Sequence, residues 1–438
     1  MKRLLMLLLA GGLFTIVFFM PKPVVDETPT VATTIPDVEP SIQAFALCPW
    51  ASTEGALEGQ LGIMAPDDAA ATLTFPSSGE VRDTRRLDLE GLAGVTFDLG
   101  SMPFEGQMPL IVEFTADASV GVLAYDDVSL LGAGCPSSVP KIWLLPGGST
   151  RPGEILELQL FNPFPEDARV TVVMTNENDF EPEPSLEAVT VNALSWRTID
   201  ISALLPLRES LSATVEVEKG VVIPAFLQTG PEDSALWAGV ERSEGWEFPL
   251  VTTGGLEATL VLSNPNSLDV GFAVDRFGTR SSETDLIEGV IEAGKHVRIR
   301  LSELLTEPSG LQVRAEGLIG AVMVGESEQA RAVTAGAPTL SASWLIPGLG
   351  ALADAEHELW ILNTSAEQVT VTYAALNPNG TDRSGKVAVA AGSVRRVNLG
   401  ITDVAGIFVQ ATDPISVGAS MRRGNAVAYL SPVPLPEG

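Results

Sequence analysis

Apolar and polar residues alternate in short stretches along most of this chain, as in ELQLFNPFPEDARVTVVM (157–174). In an extended strand Leu158 and Leu160 fall on one face and Gln159 on the other, and after a polar gap the alternation resumes. A period of two predicts β-strands with one face on a core and one in water. The Asn-Pro gap predicts a hairpin corner, in which the side chain of Asn162 folds back on the backbone as an Asx turn.

This corner recurs at nearly equal spacing, with Asn264 and Asn363 in the place of Asn162. A Trp-x-x-Pro motif opens each of the three units that contain these asparagines: Trp143, Trp246 and Trp344. A fainter first copy, without the asparagine, lies upstream at 89–125. Because periodicity of this kind indicates repeated domains, the sequence predicts four units. Their predicted boundaries are 43–136, 137–242, 243–338 and 339–438.

Each unit holds about seven such strands between Gly, Pro and Asn turns, which predicts an all-β fold of tandem immunoglobulin-like β-sandwiches. A four-bladed propeller is the alternative, but propeller blades are usually about half as long as this period. Only short helical turns are expected, at 202–207 and 302–307, where Ser202 and Ser302 can cap a first turn.

The first 20 residues predict a membrane segment. Lys2 and Arg3 precede an uncharged, almost wholly apolar run from Leu4 to Met20, long enough as a helix to span a bilayer. The run lacks a small-residue cleavage pattern, so an uncleaved transmembrane signal-anchor is favoured over a removed signal peptide. With the positive end inside, the bulk of the chain lies outside the cytoplasm. Residues 21–42 read as a Pro/Thr-rich linker.

The net charge and the two cysteines limit the kinds of partner and the cellular compartment that are expected for this chain. A formal net charge of -30 among 438 residues disfavours nucleic-acid binding and attachment to anionic lipid surfaces, and favours solubility. The two cysteines, Cys48 and Cys135, bracket the first unit. Outside the cytoplasm such a pair predicts a disulfide that closes this unit. Two buried free thiols are the alternative.

No residue pattern predicts catalysis, a cofactor or a metal. His296 and His357 lie in different units at positions held elsewhere by apolar residues, so neither is expected to act chemically. The acidic loop 177–187 (ENDFEPEPSLE) carries alternate oxygen ligands that Ca²⁺ could use, but it lacks the glycine and spacing of an EF-hand. A solvated hairpin tip is the preferred interpretation.

Two tryptophans are candidate contact residues, because they do not recur between units. Trp360 falls between inward-facing Leu359 and Ile361, which places it on the outer face of its sheet, and Trp237 is the second candidate. The recurring tryptophans at the unit entries are expected to pack in cores or between domains, with a sugar-stacking platform as the alternative.

The layout resembles an uncharacterised actinobacterial family of secreted or membrane-anchored proteins, a domain of unknown function. The resemblance covers residues 43–430 and rests on the anchor, Cys48-Pro49, Cys135-Pro136, the Trp-x-x-Pro entries and the Leu-x-Asn-Pro corners. It brings no catalytic residues, and it implies a place near envelope-glycan assembly.

The preferred hypothesis is a non-enzymatic, membrane-tethered rod of four sandwiches that binds or positions a cell-envelope protein or glycan. The alternative is a carbohydrate-binding accessory or glycan-active enzyme with an acidic cleft between units. Adhesin-like display is a third hypothesis, and it predicts a longer stalk or a sorting signal.

Overall fold

Strands built from alternating apolar residues account for most of the described chain, and the all-β prediction is confirmed. The computed structural model describes residues 42–435, except 177–179, 231–232, 252–254, 306, 351, 353 and 401–403, and except the side chain of residue 382. Residues from Ile42 onward form one compact unit. The predicted anchor (1–20) and the predicted linker up to residue 41 lie outside the described residues. In the part of the chain that is described, no helix is long and apolar enough to cross a membrane.

The four predicted units are kept below as repeats 1 to 4, and their boundaries stay predictions. The strands described in repeat 1 are β1 (Ala44–Cys48), β2 (Glu58–Ala65), β3 (Ala69–Ser77), β4 (Glu80–Leu89), β5 (Ala93–Asp98), β6 (Leu110–Phe114), β7 (Ser119–Tyr125) and β8 (Leu130–Gly134). Those of repeat 2 are β9 (Ile142–Gly148), β10 (Ile155–Asn162), β11 (Ala168–Thr175), β12 (Phe180–Glu181), β13 (Val189–Val191), β14 (Ser195–Asp200), β15 (Leu211–Lys219), β16 (Ile223–Thr229) and β17 (Ser234–Ala238).

The last two repeats use longer strands. Repeat 3 contains β18 (Ser243–Phe248), β19 (Glu257–Ser263), β20 (Val270–Phe277), β21 (Ser282–Ile291), β22 (His296–Arg300), β23 (Gly310–Glu326) and β24 (Arg331–Ala335). Repeat 4 contains β25 (Ser341–Pro347), β26 (Glu356–Asn363), β27 (Val369–Asn377), β28 (Gly380–Val389), β29 (Ser393–Asn398), β30 (Gly406–Arg423), β31 (Ala426–Leu430) and β32 (Val433–Pro434).

Each repeat is a pair of sheets with the same strand pairing. In repeat 1 the orders are β1-β6-β3-β4 and β5-β2-β7-β8. In repeats 3 and 4 the single strands β23 and β30 run through both sheets, in the places of β6 and β7. The pairs β2–β5 and β3–β6 correspond to the B–E and C–F pairs of an immunoglobulin domain, but β1 pairs with β6 and β7 pairs with β2, which that domain does not do.

Side-chain alternation follows the predicted period on the inner faces. Leu156, Leu158 and Leu160 on β10, and Val170 and Val172 on β11, are buried. The outer face of β10 is also covered, since Gln159 is only 1% exposed. The expectation that the second face lies in water is therefore wrong for this strand.

Among the residues that the structure describes, helical structure is confined to short turns. They are α1 (Ile201–Leu204) and two 3₁₀ turns (Leu99–Ser101, Pro184–Leu186). The predicted turn at 202–207 exists, but its cap is Asp200, whose carboxylate accepts the N–H of Ala203. Ser202 instead accepts the N–H of Leu156 at 2.7 Å, and Ser302 accepts that of Ala258 at 2.9 Å. Both predicted caps therefore hold the start of a neighbouring strand.

One five-residue strand near the end of each repeat lies at a common axis. These four strands are β8, β17, β24 and β31, and they are called the axial strands below. β8 contacts β17 and β31, and β24 contacts the same two, so the four strands form a closed ring. Repeat 4 therefore packs on repeat 1. The predicted rod is wrong, because the four repeats close on themselves.

The same pair of faces meets at each junction of the ring. Leu144 of repeat 2 packs on Gly320 of repeat 3, and Gly310 of repeat 3 packs on Leu362 of repeat 4. At the closing junction Gly348 of repeat 4 lies against the backbone of Gly121 of repeat 1. Small residues allow this close backbone approach, which a larger side chain would block.

Candidate functional site

A cavity of about 480 Å³ opens at the carboxyl ends of the axial strands. Its volume lies in the range of small-molecule sites, roughly 300–1,000 Å³. All four repeats line it, mainly through segments 132–138, 236–243, 335–336 with 338–339, and 431–434. Most of these segments are the connections that lead from one repeat to the next, so no single repeat contains the cavity.

The wall of this axial cavity is apolar and is made largely of small residues and indole rings. Gly132 packs closely, since a Cβ there would lie 2.7 Å from a methyl group of Leu430, which would have to shift. Trp143, Trp237 and Trp246 line the cavity and are almost fully buried. Such a wall suits a ligand with an apolar portion.

Two of these indoles are fixed by hydrogen bonds to the backbone. Trp237 Nε1 donates to the carbonyl of Pro146 at 3.1 Å, and Trp246 Nε1 donates to that of Ile319 at 3.2 Å. The N–H of Trp143 is buried and has no hydrogen-bond partner in the described chain. The cavity is thus largely pre-formed, with one indole donor left unused in its wall.

Polar side chains are concentrated at the mouth of the axial cavity. The exposed polar residues that line the cavity are Ser137, Glu241, Arg242 and Thr339. Among the described residues that line the cavity, Glu241 is the one carboxylate, and no histidine is present. The arrangement can orient a ligand by hydrogen bonds, but it does not present a facing pair of acids.

A comparison with known protein families identifies the family of this chain. The model of DUF5719, a family of unknown function, matches residues 105–245 and 242–429, which is more than half of the chain. The chain belongs to the DUF5719 family. No curated protein matches it.

Solved structures add little to this DUF5719 assignment. The chain is 14% identical to a crystal structure of Thermotoga maritima 1070, with a TM-score of 0.19, over 22% of this chain and 93% of the other. It is 8% identical to a Streptomyces avermitilis α-L-rhamnosidase in complex with L-rhamnose, with a TM-score of 0.12, over 84% of this chain and 55% of the other.

The predicted disulfide of this DUF5719 chain is present. Cys48 and Cys135 are bonded, with their Cα atoms 4.6 Å apart, and close a segment with a sequence separation of 87. Cys135 also lines the axial cavity. The bond ties the first strand of repeat 1 to the end of its axial strand.

The two tryptophans predicted as contact residues are buried. Trp360 does point away from the core of its own sandwich, but its exposure is zero because Leu250 and Phe277 of repeat 3 cover that face. The expected surface position of Trp360 is therefore wrong. Trp237 is 3% exposed and forms part of the cavity wall. The sequence could not predict this burial, because an outer face that packs on the next repeat is as apolar as a face that binds a ligand.

The histidines take structural positions. His357 is fully buried at the start of β26. His296 lies between repeats 2 and 3, where its ring nitrogens contact Ser210 Oγ at 2.8 Å and Thr175 Oγ1 at 3.4 Å. Burial lowers the pKa of His296 to about 4, with a smaller contribution from the charge of Arg298. The imidazole is therefore neutral at neutral pH.

The acidic loop 177–187 provides no assembled ligand set among its described residues. Glu177 and Asp179 lie outside them. Glu181 forms an ion pair with Arg208 at 2.5 Å, and Glu183 accepts the N–H of Ser185 at 3.0 Å. Across the described part of the chain, no group of three His, Cys, Asp or Glu side chains could hold a metal ion.

Two further ionisable side chains, Glu247 and Arg331, are buried outside the cavity wall. Glu247 is 5% exposed, and burial raises its pKa to about 8. Its Oε1 accepts from Gln312 at 2.6 Å. Arg331 is buried between repeats 2 and 3, where it pairs with Glu326 at 2.5 Å. Neither group was predicted, because an isolated Glu or Arg in a strand reads as a solvated side chain.

Proposed function

We propose that this DUF5719 protein is a non-enzymatic binding protein or scaffold of the cell envelope, which receives an apolar group of its partner in the axial cavity. The observation that carries the proposal is the cavity itself, an open, apolar and largely pre-formed space that all four repeats build together. A partner bound there would contact every repeat at once. The mouth residues Glu241 and Arg242 would orient it.

The proposal includes an extracytoplasmic location. The disulfide between Cys48 and Cys135 supports an oxidising compartment, and the apolar N-terminal run of the sequence supports a tether to the membrane. The repeats are taken as immunoglobulin-like sandwiches that have exchanged the partners of their first and last strands. The partner is an envelope protein or glycan-linked component.

A sugar-binding or glycan-active role is less well supported. Such a role needs exposed aromatic faces or paired carboxylates. The indoles of Trp143, Trp237 and Trp246 are 1–3% exposed, so their rings do not form a stacking platform. Glu241 is the one carboxylate among the described lining residues.

Position-specific photo-crosslinking in native cells tests the proposal. Benzoylphenylalanine at Thr339, an exposed threonine at the cavity mouth, is expected to capture an envelope component. The same probe at Thr381, an exposed threonine away from the cavity, is the matched control and should capture none. Adding Ala335→Trp, which fills the cavity, should abolish the adduct at Thr339.

Three outcomes would contradict the proposal: equal adducts at both positions, no adduct at either, or an adduct that survives Ala335→Trp. The thermal midpoint of the Ala335→Trp variant is measured first, so that loss of the adduct is not loss of the fold. Protease added to spheroplasts checks the location, since an extracytoplasmic chain is digested without lysis.

A further inference from the structure

The amino ends of the axial strands, opposite the cavity, converge on one carboxylate. Asp233 immediately precedes β17 and is 6% exposed. Its Oδ1 accepts the N–H of Ser234 at 2.7 Å and faces that of Leu130 at 3.4 Å, and its Oδ2 accepts the N–H of Arg331 at 3.1 Å. The N–H of Val427 is also directed to this carboxylate.

These four donors occupy the same structural position in the four repeats. Strand pairing aligns Leu130 of β8, Ser234 of β17, Arg331 of β24 and Val427 of β31, each near the start of its axial strand. The ring therefore brings four equivalent N–H groups to one point on its axis. Oriented backbone N–H groups of this kind form an anion-binding site.

Only one of the four repeats supplies an acid here. The residues that correspond to Asp233 are Ser129, Ala330 and Ala426. A second carboxylate at the same point would face the first at short range, and two like charges in a buried place repel strongly. Four backbone N–H groups on the axis are thus directed to one acceptor, the carboxylate of Asp233.

We propose that the four N–H groups form an anion site on the axis, that the Asp233 carboxylate is its built-in occupant, and that this occupancy locks the ring of repeats closed. The lock is distinct from the axial cavity and does not depend on the proposed binding function. It acts across the junction between repeats 4 and 1, which no peptide connection bridges, because Leu130 and Val427 belong to those two repeats.

The surroundings of Asp233 indicate that N–H groups hold its carboxylate, and that the carboxylate does not form an ion pair with Arg331. The guanidinium of Arg331 is directed away to Glu326 and to the carbonyl of Gly147 at 3.0 Å. Burial raises the pKa of Asp233 to about 7, against the opposing effect of the N–H groups. Without those donors, so buried a carboxylate would be still harder to ionise.

The test compares Asp233→Ala and Asp233→Asn with Asp126→Ala in the full chain, above pH 7 so that the Asp233 carboxylate is charged. Asp126 holds the corresponding turn of repeat 1, but the hydrogen bonds of its side chain to described residues stay within that turn, where its carboxylate accepts the N–H groups of Val128 and Ser129. Asp233→Ala should speed amide exchange at Leu130, Arg331 and Val427, in three other repeats, by roughly an order of magnitude or more. Asp126→Ala should leave the amides of Arg331 and Val427 unchanged.

Chemical rescue separates an anion site from general packing. Sodium formate, a small carboxylate, should raise the thermal midpoint of Asp233→Ala and restore protection at the three amides. It should do neither for the wild type or for Asp126→Ala. Asp233→Asn keeps the shape but turns an N–H₂ group toward the donors, so it should lose protection as well.

The proposal is overturned if Asp233→Asn retains wild-type exchange at Leu130, Arg331 and Val427, because the charge would then be unnecessary. It is also overturned if formate stabilises all variants equally. If Asp233→Ala does not fold, the exchange measured on Asp233→Asn decides alone.

Discussion

Replacing Asn264 by alanine should destabilise repeat 3 by removing the side chain that ties its hairpin corner together. Asn264 is 1% exposed. Its Nδ2 donates to the carbonyls of Leu268 at 2.9 Å, Ile291 at 2.9 Å and Glu292 at 3.2 Å, and its Oδ1 accepts the N–H of Asn266 at 2.9 Å. One amide thus joins two turns that are far apart in sequence.

The size of the expected loss of stability depends on which hydrogen-bond partners of Asn264 water can reach. The carbonyls of Leu268 and Glu292 belong to exposed turn residues, so water can replace the lost donor there. Ile291 is fully buried, and its carbonyl would lose a partner that solvent cannot supply. Counting that carbonyl and the N–H of Asn266 at about 1–3 kcal/mol each gives an expected loss of about 2–6 kcal/mol.

Urea unfolding measures the loss, and hydrogen exchange locates it. Protection should fall at residues 264–268 and 291–294 before it falls elsewhere. Asn379→Ala, at an exposed turn of repeat 4, is the matched control and should change stability by less than about 0.5 kcal/mol. Asn264→Asp should be at least as damaging as alanine, because it places a carboxylate against three carbonyl oxygens. A loss below about 1 kcal/mol for Asn264→Ala would refute the reasoning.

Three further predictions concern the ring, a histidine and the disulfide. Gly62→Ala places a Cβ 2.3 Å from a carbonyl oxygen of repeat 4 and should cost about 1–3 kcal/mol, with faster amide exchange at the junction of repeats 4 and 1. Gly245→Ala should show neither change, because its Cβ would lie at an ordinary contact distance of 3.9 Å from the carbonyl oxygen of Val313. The pKa of His296 is about 4 in the folded chain and about 6.5 in the unfolded chain. Its neutral form therefore contributes fully to stability above pH 6.5, and about 3 kcal/mol is lost as the pH falls through 4. In urea unfolding at a series of pH values, His296→Asn should lack this dependence of the unfolding free energy on pH. Reduction of the bond between Cys48 and Cys135 should cost about 4–5 kcal/mol and lower exchange protection first in residues 43–136. Cys48→Ser should show the same loss with or without reductant.

The local architecture could be predicted from the sequence because it depends on a short period. Alternation identified the buried face of β10, and the recurrence of Asn162 in later copies identified a corner in place of a ligand loop. The structure gives the reason for the recurrence, since Asn162 and Asn363 repeat the donor pattern of Asn264. The neighbouring carboxylates vary because this pattern does not use their side chains.

The ring and the axial cavity could not be predicted in the same way. The outer faces that form the junctions carry residues such as Trp360 and Gly348, and neither a single tryptophan nor a glycine has a period. Asp233 gave no signal either, because its role depends on N–H groups from three other repeats, and any backbone supplies an N–H.

Closure follows from the way one junction is repeated. The connections 135–141, 239–242 and 336–340 are short, and each leads from the end of an axial strand to the first strand of the next repeat. A head-to-tail contact repeated with a constant rotation must either extend without limit or close into a ring. Here the unconnected junction, where Gly348 meets Gly121, uses the same faces as the connected ones. The geometry of the junction therefore determines that the ring closes. A change at any of the four junctions should alter both the axial cavity and the surroundings of Asp233, because both exist only when the ring is complete.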